Sequence, residues 1–133
     1  MGLLKRIFGI CATQPPADAA CWEVKDGQVE VKLSRAPELS TPGGGAVRLE
    51  GKGLSKRLLV MRGEDGRYLA FHNKCTHAGR RIDPLPGTDR VRCCSVSKST
   101  FDESGRVVSG PAKGPLTPFP VTEEGDTLLF AIS

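Results

Sequence analysis

Cys75-Thr76-His77 and, beyond sixteen intervening residues, Cys94 within Cys93-Cys94-Ser95-Val96-Ser97 make up the stretch that decides how this chain is read. A thiolate and an imidazole one residue apart can both turn toward a metal where the backbone bends. A second thiolate arriving from a distant segment closes the site, and a half-thiolate, half-imidazole 2Fe-2S centre is assembled in this way. Here the set is one imidazole short.

Around these residues the sequence runs in short β-branched and apolar stretches cut by glycine-rich turns, the punctuation of an all-β domain. Strands are expected at 29–33, 46–49, 58–62, 68–72, 90–93, 106–109, 119–121 and 127–132. Glu64-Asp65-Gly66, Asp102-Glu103-Ser104-Gly105 and Glu124-Gly125-Asp126 can supply the positive φ that joins such strands into antiparallel hairpins. Pro42 and Gly43-Gly44-Gly45 mark a flexible entry to the strand at 46–49, and no internal repeat is visible. Residues 75–87 and 94–100 fit neither strand nor tight turn, and each follows a strand directly. Two loops therefore project from neighbouring hairpins, where a rigid scaffold displays its chemistry. A third loop, Ser109-Gly110-Pro111-Ala112-Lys113-Gly114-Pro115, is stiffened by its prolines and is placed to cover the pair.

Tyr68-Leu69-Ala70-Phe71-His72-Asn73-Lys74-Cys75-Thr76-His77-Ala78-Gly79 resembles the first ligand box of the Rieske 2Fe-2S family, Cys-x-His-x-Gly. Thr100-Phe101-Asp102 through Gly105, then 108–116 and Phe119-Pro120-Val121, resemble the downstream hairpin, proline loop and final strands of that family. The likeness runs from about Val29 to Ile132. It implies a fold of small antiparallel sheets, with two cluster-binding loops on a subdomain at one end and the proline loop beside them.

The second box departs from the family's Cys-x-x-His-Gly. Counting back from Phe101 puts the Cys at Cys94, Ser97 where the second His is expected and Lys98 in place of Gly. The only other histidine, His72, falls in a strand and reads as a surface residue. Three repairs are open. Cys93 can join Cys75, His77 and Cys94 in a three-thiolate, one-imidazole set, which needs an irregular backbone because adjacent strand residues face opposite ways. Ser97 or a water can fill the vacancy, although a serine hydroxyl reaches less far and deprotonates poorly. Otherwise no cluster binds and only the fold remains. Cys75, His77 and Cys94 are the expected ligands, with Cys93 as the fourth.

At 133 residues and 38% hydrophobic content the chain has the size of one core. Residues 1–22 read as an extension, a short amphipathic helix over 1–12 and a linker from Cys11 to Trp22, ahead of an iron-sulfur domain at 23–133. The apolar run at 7–12 is too short for a signal sequence, and no stretch approaches the ~20 apolar residues of a membrane span. A cytoplasmic location is expected, where five cysteines point to metal or redox chemistry more than to a disulfide framework. Cys11 and Cys21 match no ligand spacing.

Between Lys74 and Lys98 six basic residues face two acidic ones, a surplus of four that equals the net charge of the whole chain. Such a field steers an acidic redox partner toward the loops and offsets the charge of a cluster. Aromatic residues amount to 5%, too few for base-stacking platforms, and no recognition helix is visible, so nucleic acid is not an expected partner.

The expectation is a ferredoxin-like protein that holds a 2Fe-2S cluster and passes single electrons to a partner oxidoreductase, with no substrate pocket of its own. Two alternatives stand beside it. One is a Rieske-like fold that has lost its cluster and works as a protein-interaction module. The other is a thiol or mononuclear-metal redox sensor built on Cys93 and Cys94 beside Arg92 and Lys98.

Overall fold

Trp22–Lys25 (β1) and Gln28–Lys32 (β2) pair antiparallel across Asp26-Gly27, both at positive φ, the geometry a two-residue Asp-Gly hairpin turn requires. The computed structural model describes residues 13–41, 45–76, 79–85, 87–94 and 99–132. The helix expected over 1–12 lies outside them, as do His77, Ser97 and Lys98. Two single 3-10 turns, Leu33–Arg35 and Pro37–Leu39, carry the chain to Ala46–Leu49 (β3), which is followed by Leu58–Arg62 (β4) and Tyr68–His72 (β5). Then come Ile82–Pro84 (β6), Val91–Cys93 (β7), Thr100–Phe101 (β8), Val107–Ser109 (β9), Pro118–Phe119 (β10), Thr122–Glu124 (β11) and Thr127–Ala131 (β12).

These strands form three four-stranded sheets, ordered β1-β2-β12-β11, β10-β5-β4-β3 and β6-β7-β8-β9. Every pairing among the described residues is antiparallel. The all-β reading of the sequence therefore holds. Glycines 66, 105 and 125 take positive φ in the three expected hairpin turns.

The middle sheet explains why Leu58-Leu59-Val60-Met61 is apolar without alternation. Successive strand side chains point to opposite faces, and both faces of β4 are covered. Leu58 and Val60 join a first core with Trp22, Val29, Val31, Leu128 and Phe130 of the first sheet. Leu59 and Met61 join a second core with Phe71, Ile82, Val91 and Phe101, which reaches the third sheet. In β5, Ala70 faces the first core and Phe71 the second.

The structure corrects the sequence reading at the shorter strands and at the start of the first sheet. Trp22, expected at the end of a linker, opens β1, and Cys21 beside it is fully buried in the first core. The Lys52 ammonium lies 4.5 Å from the Trp22 ring centre and donates to the Trp22 carbonyl at 2.7 Å. The strands β6, β8 and β11 were not expected, because two or three residues carry no readable alternation. The strand expected at 119–121 is instead Pro118–Phe119, paired with β5. The described part of the linker is also tied down: the Thr13 amide donates to Asp83 Oδ1, and the Arg48 amide donates to the Gln14 carbonyl.

Candidate metal centre

The first ligand loop leaves β5 after His72 and is bent by its own backbone. The Cys75 amide donates to the Arg80 carbonyl at 2.6 Å, and the Gly79 amide donates to the Cys75 carbonyl at 2.8 Å. Gly79 has φ +70°, in the left-handed region that favours glycine, which gives the conformational reason for Gly in this box. Asn73, 1% exposed, holds the exit of the loop to its entry: its Oδ1 accepts the Ile82 amide at 2.8 Å.

The second loop lies directly against the first. Cys93 is paired in register with Ile82, and the Cys94 amide donates to the Arg81 carbonyl at 3.0 Å. The Cys93 amide donates to Ser99 across residues 95–98, which closes the base of the loop. Cys75 and Cys93, from two different hairpins, are buried in the same packed core with Phe71, Ile82 and Leu116. Cys94 is buried as well and is disulfide-bonded. Its sulfur can serve iron only from the reduced form. Cys21 is fully buried in the other core, and burial raises its thiol pKa, which suits a small core residue rather than a reactive one.

The proline loop is pinned to both cysteine loops. The Thr76 hydroxyl, between Cys75 and His77 in sequence, donates to the Gly114 carbonyl. On the other side, fully buried Ser99 accepts the Ala112 amide on its Oγ at 3.1 Å. Gly110 allows this approach: a Cβ there would sit 2.5 Å from the Ser99 Cα. The sequence reading did not single out Thr76, Ser99 or Asn73, since a hydroxyl or amide that ties loops together carries no spacing signature.

Charge at this end is positive but partly committed. Arg81 makes a two-pronged pair with Glu50 at 2.8 and 2.9 Å, which holds the Glu50 carboxyl below its usual range. His72 reports the remainder. Burial lowers its pKa first, and Lys56, Lys74 and Arg57 lower it further. His72 is the half-buried last residue of β5.

The thiols of Cys75 and Cys93, and that of Cys94 once reduced, are soft donors on adjoining segments, of the kind that iron-sulfur clusters take. In that respect the residues present fit such a group. Among the described residues no three His, Cys, Asp or Glu side chains converge as a metal site, and His77 and Ser97 are not among them. No helix among the described residues is long and apolar enough to cross a membrane.

Three small antiparallel sheets, two adjoining cysteine loops and a proline loop fastened to both define a Rieske-type domain. The chain belongs to that family: the Rieske [2Fe-2S] domain matches residues 22–120. Among solved structures it is similar to the ferredoxin of carbazole 1,9a-dioxygenase from Nocardioides aromaticivorans IC177, at 23% identity and TM-score 0.58, covering 70% of this chain and 88% of that one. A complex of reduced oxygenase and oxidized ferredoxin in carbazole 1,9a-dioxygenase matches at 26% identity and TM-score 0.55, covering 68% and 91%. The plasma membrane Rieske protein PetC3 from Synechocystis PCC 6803 matches at 21% and TM-score 0.55, covering 66% and 87%. No curated protein matches the chain. Membership in the family and the ferredoxin likeness support a role in electron transfer.

Proposed function

We propose that the protein is a Rieske-type electron carrier that holds a 2Fe-2S cluster between its two cysteine loops and delivers single electrons to a partner oxidoreductase. The meeting of Cys75 and Cys93, from two different loops, in one buried cluster carries the reading. Cys75, His77 and Cys94 are the ligands, and Cys93 is the fourth in place of the imidazole that Ser97 does not supply. A bound cluster supplies one-electron redox chemistry. The chain's own residues shape the loops, exclude water beneath the proline loop and present a basic surface that suits an acidic partner. The carrier works in a reducing compartment such as the cytoplasm, because Cys94 must be a thiolate to take part.

Protein purified anaerobically with reductant should be coloured and carry two irons and two acid-labile sulfides per chain. Colourless protein without metal would sink the reading. Cys93→Ser tests the fourth ligand directly: the iron content should fall or the spectrum should change, whereas an unaltered centre would remove Cys93 from the set. The disulfide of Cys94 favours one second reading, a thiol-based redox sensor. A metal-free protein whose Cys94 cycles between thiol and disulfide near physiological potentials would support it.

A further inference from the structure

Arg57 precedes β4 by one residue and is sixteen residues upstream of Asn73, yet its side chain reaches across to the first ligand loop. Its Nε donates to the Asn73 carbonyl at 3.2 Å, and its Nη2 donates to the Gly79 carbonyl at 2.8 Å. Those two carbonyls flank the Cys75-Thr76-His77 segment, each two residues outside it. The backbone adds a third tie, since the Asn73 amide donates to the Arg57 carbonyl at 2.8 Å.

The contacts are unusual in what they leave out. Arg57 is half-buried, and among the described residues its side-chain hydrogen bonds go to main-chain carbonyls and to no carboxylate. Glu50 acts on it only through space and is itself gripped by Arg81. Desolvating a cation without a paired anion is costly unless something else returns the energy. A planar fork on two carbonyls suits a guanidinium and cannot be reproduced by an ammonium.

We propose that Arg57 is the positioning residue of the first ligand loop, clamping its two ends together and fixing a positive charge beside any cluster held there. The clamp stands on the geometry alone, whereas the effect of the charge rests on the proposed electron-carrier function. A cation near a cluster favours the more negative, reduced state, so it raises the reduction potential.

The experiment compares wild type, Arg57→Gln and Arg57→Lys by amide hydrogen exchange and by redox titration. In Arg57→Gln the Cys75 and Gly79 amides should exchange at least tenfold faster, while those of Val60 and Ala70 in the middle sheet keep their protection. The reduction equilibrium of the loaded protein should move toward the oxidised form by threefold to tenfold, tenfold corresponding to about 59 mV for one electron. Arg57→Lys keeps the charge and loses the fork, so it should lose loop protection yet hold its potential near that of wild type. Unchanged exchange at Cys75 and Gly79 overturns the clamp. Equal loss of protection across β4 and β5 also overturns it, since Arg57 would then serve general stability. A potential that ignores the Gln variant overturns the role of the charge. Failure of wild-type protein to take up iron sinks the electron-carrier reading, while the exchange data still decide the clamp.

Discussion

Asn73 shows how much of the site rests on single polar atoms. Its Oδ1 accepts the buried Ile82 amide, so Asn73→Ala strands a main-chain donor away from water. The expected cost is about 1–3 kcal/mol in urea unfolding, the usual penalty for such an orphan. A loss below a few tenths would mean that the amide finds another acceptor. One residue away, His72 makes stability depend on pH. Burial, then Lys56, Lys74 and Arg57, lower its pKa below 6.5 in the folded state. The unfolded chain therefore takes up a proton that the folded protein resists, and stability is full above pH 6.5 and declines below it until folded His72 protonates. Melting temperatures should fall between pH 7.5 and 5.5 in wild type and fall less in His72→Gln, and equal slopes would count against the assignment. The carboxylates with lowered pKa, Glu50 among them, lose their contribution only at more acidic pH. At this scale the sequence spoke through spacing: the separation of Cys75 from Cys94 pointed to the loops, and Gly79 to the bend. Arg57 was silent, because a basic residue beside a turn is the commonest of surface features and nothing local marks the carbonyls that it reaches.

Among elements, the proline loop shows most clearly what regular secondary structure leaves to side chains. Beyond Ser109 it has no strand pairing among the described residues, and it is held by the Thr76 and Ser99 contacts and by the missing side chain of Gly110. Gly110 has φ +91°, which an alanine adopts at a cost, and a Cβ there collides with main-chain atoms of Ser99 that cannot swing aside. Gly110→Ala should therefore lift the loop off both cysteine loops, with a stability loss on the order of 2 kcal/mol. Limited proteolysis within 109–116 should speed up in the variant, and an unchanged cleavage rate would show that the loop is held by something else. Strands such as β3, β4 and β5 were legible to the residue, because each has four or five apolar or alternating positions between glycine-bearing turns. The strands β6, β8 and β11 were not, since runs of two or three residues, one of them Pro84, gain their strand character from a partner already in place.

At the scale of the whole molecule the middle sheet is shared property, and this makes the domain cooperative. Leu58 and Val60 bury one core while Leu59 and Met61 bury the other, so neither core can dissolve without stripping a face from β4. The unbroken apolar run at 58–61 was visible in the sequence. That it meant two covered faces was not, because the same run would suit a single buried strand of any kind. Native cysteines provide the probe: Cys21 sits in the first core, and Cys75 and Cys93 in the second. Pulsed alkylation of metal-free protein across a urea series, read by mass spectrometry, should show all three becoming reactive at one midpoint, coincident with the change in Trp22 fluorescence. Earlier labelling of Cys75 and Cys93 than of Cys21 would mean that the cysteine-loop end opens as a separate unit. Under the proposed electron-carrier role, cluster uptake should then bring the two midpoints together, because a ligand that binds only the folded site stabilises it by mass action.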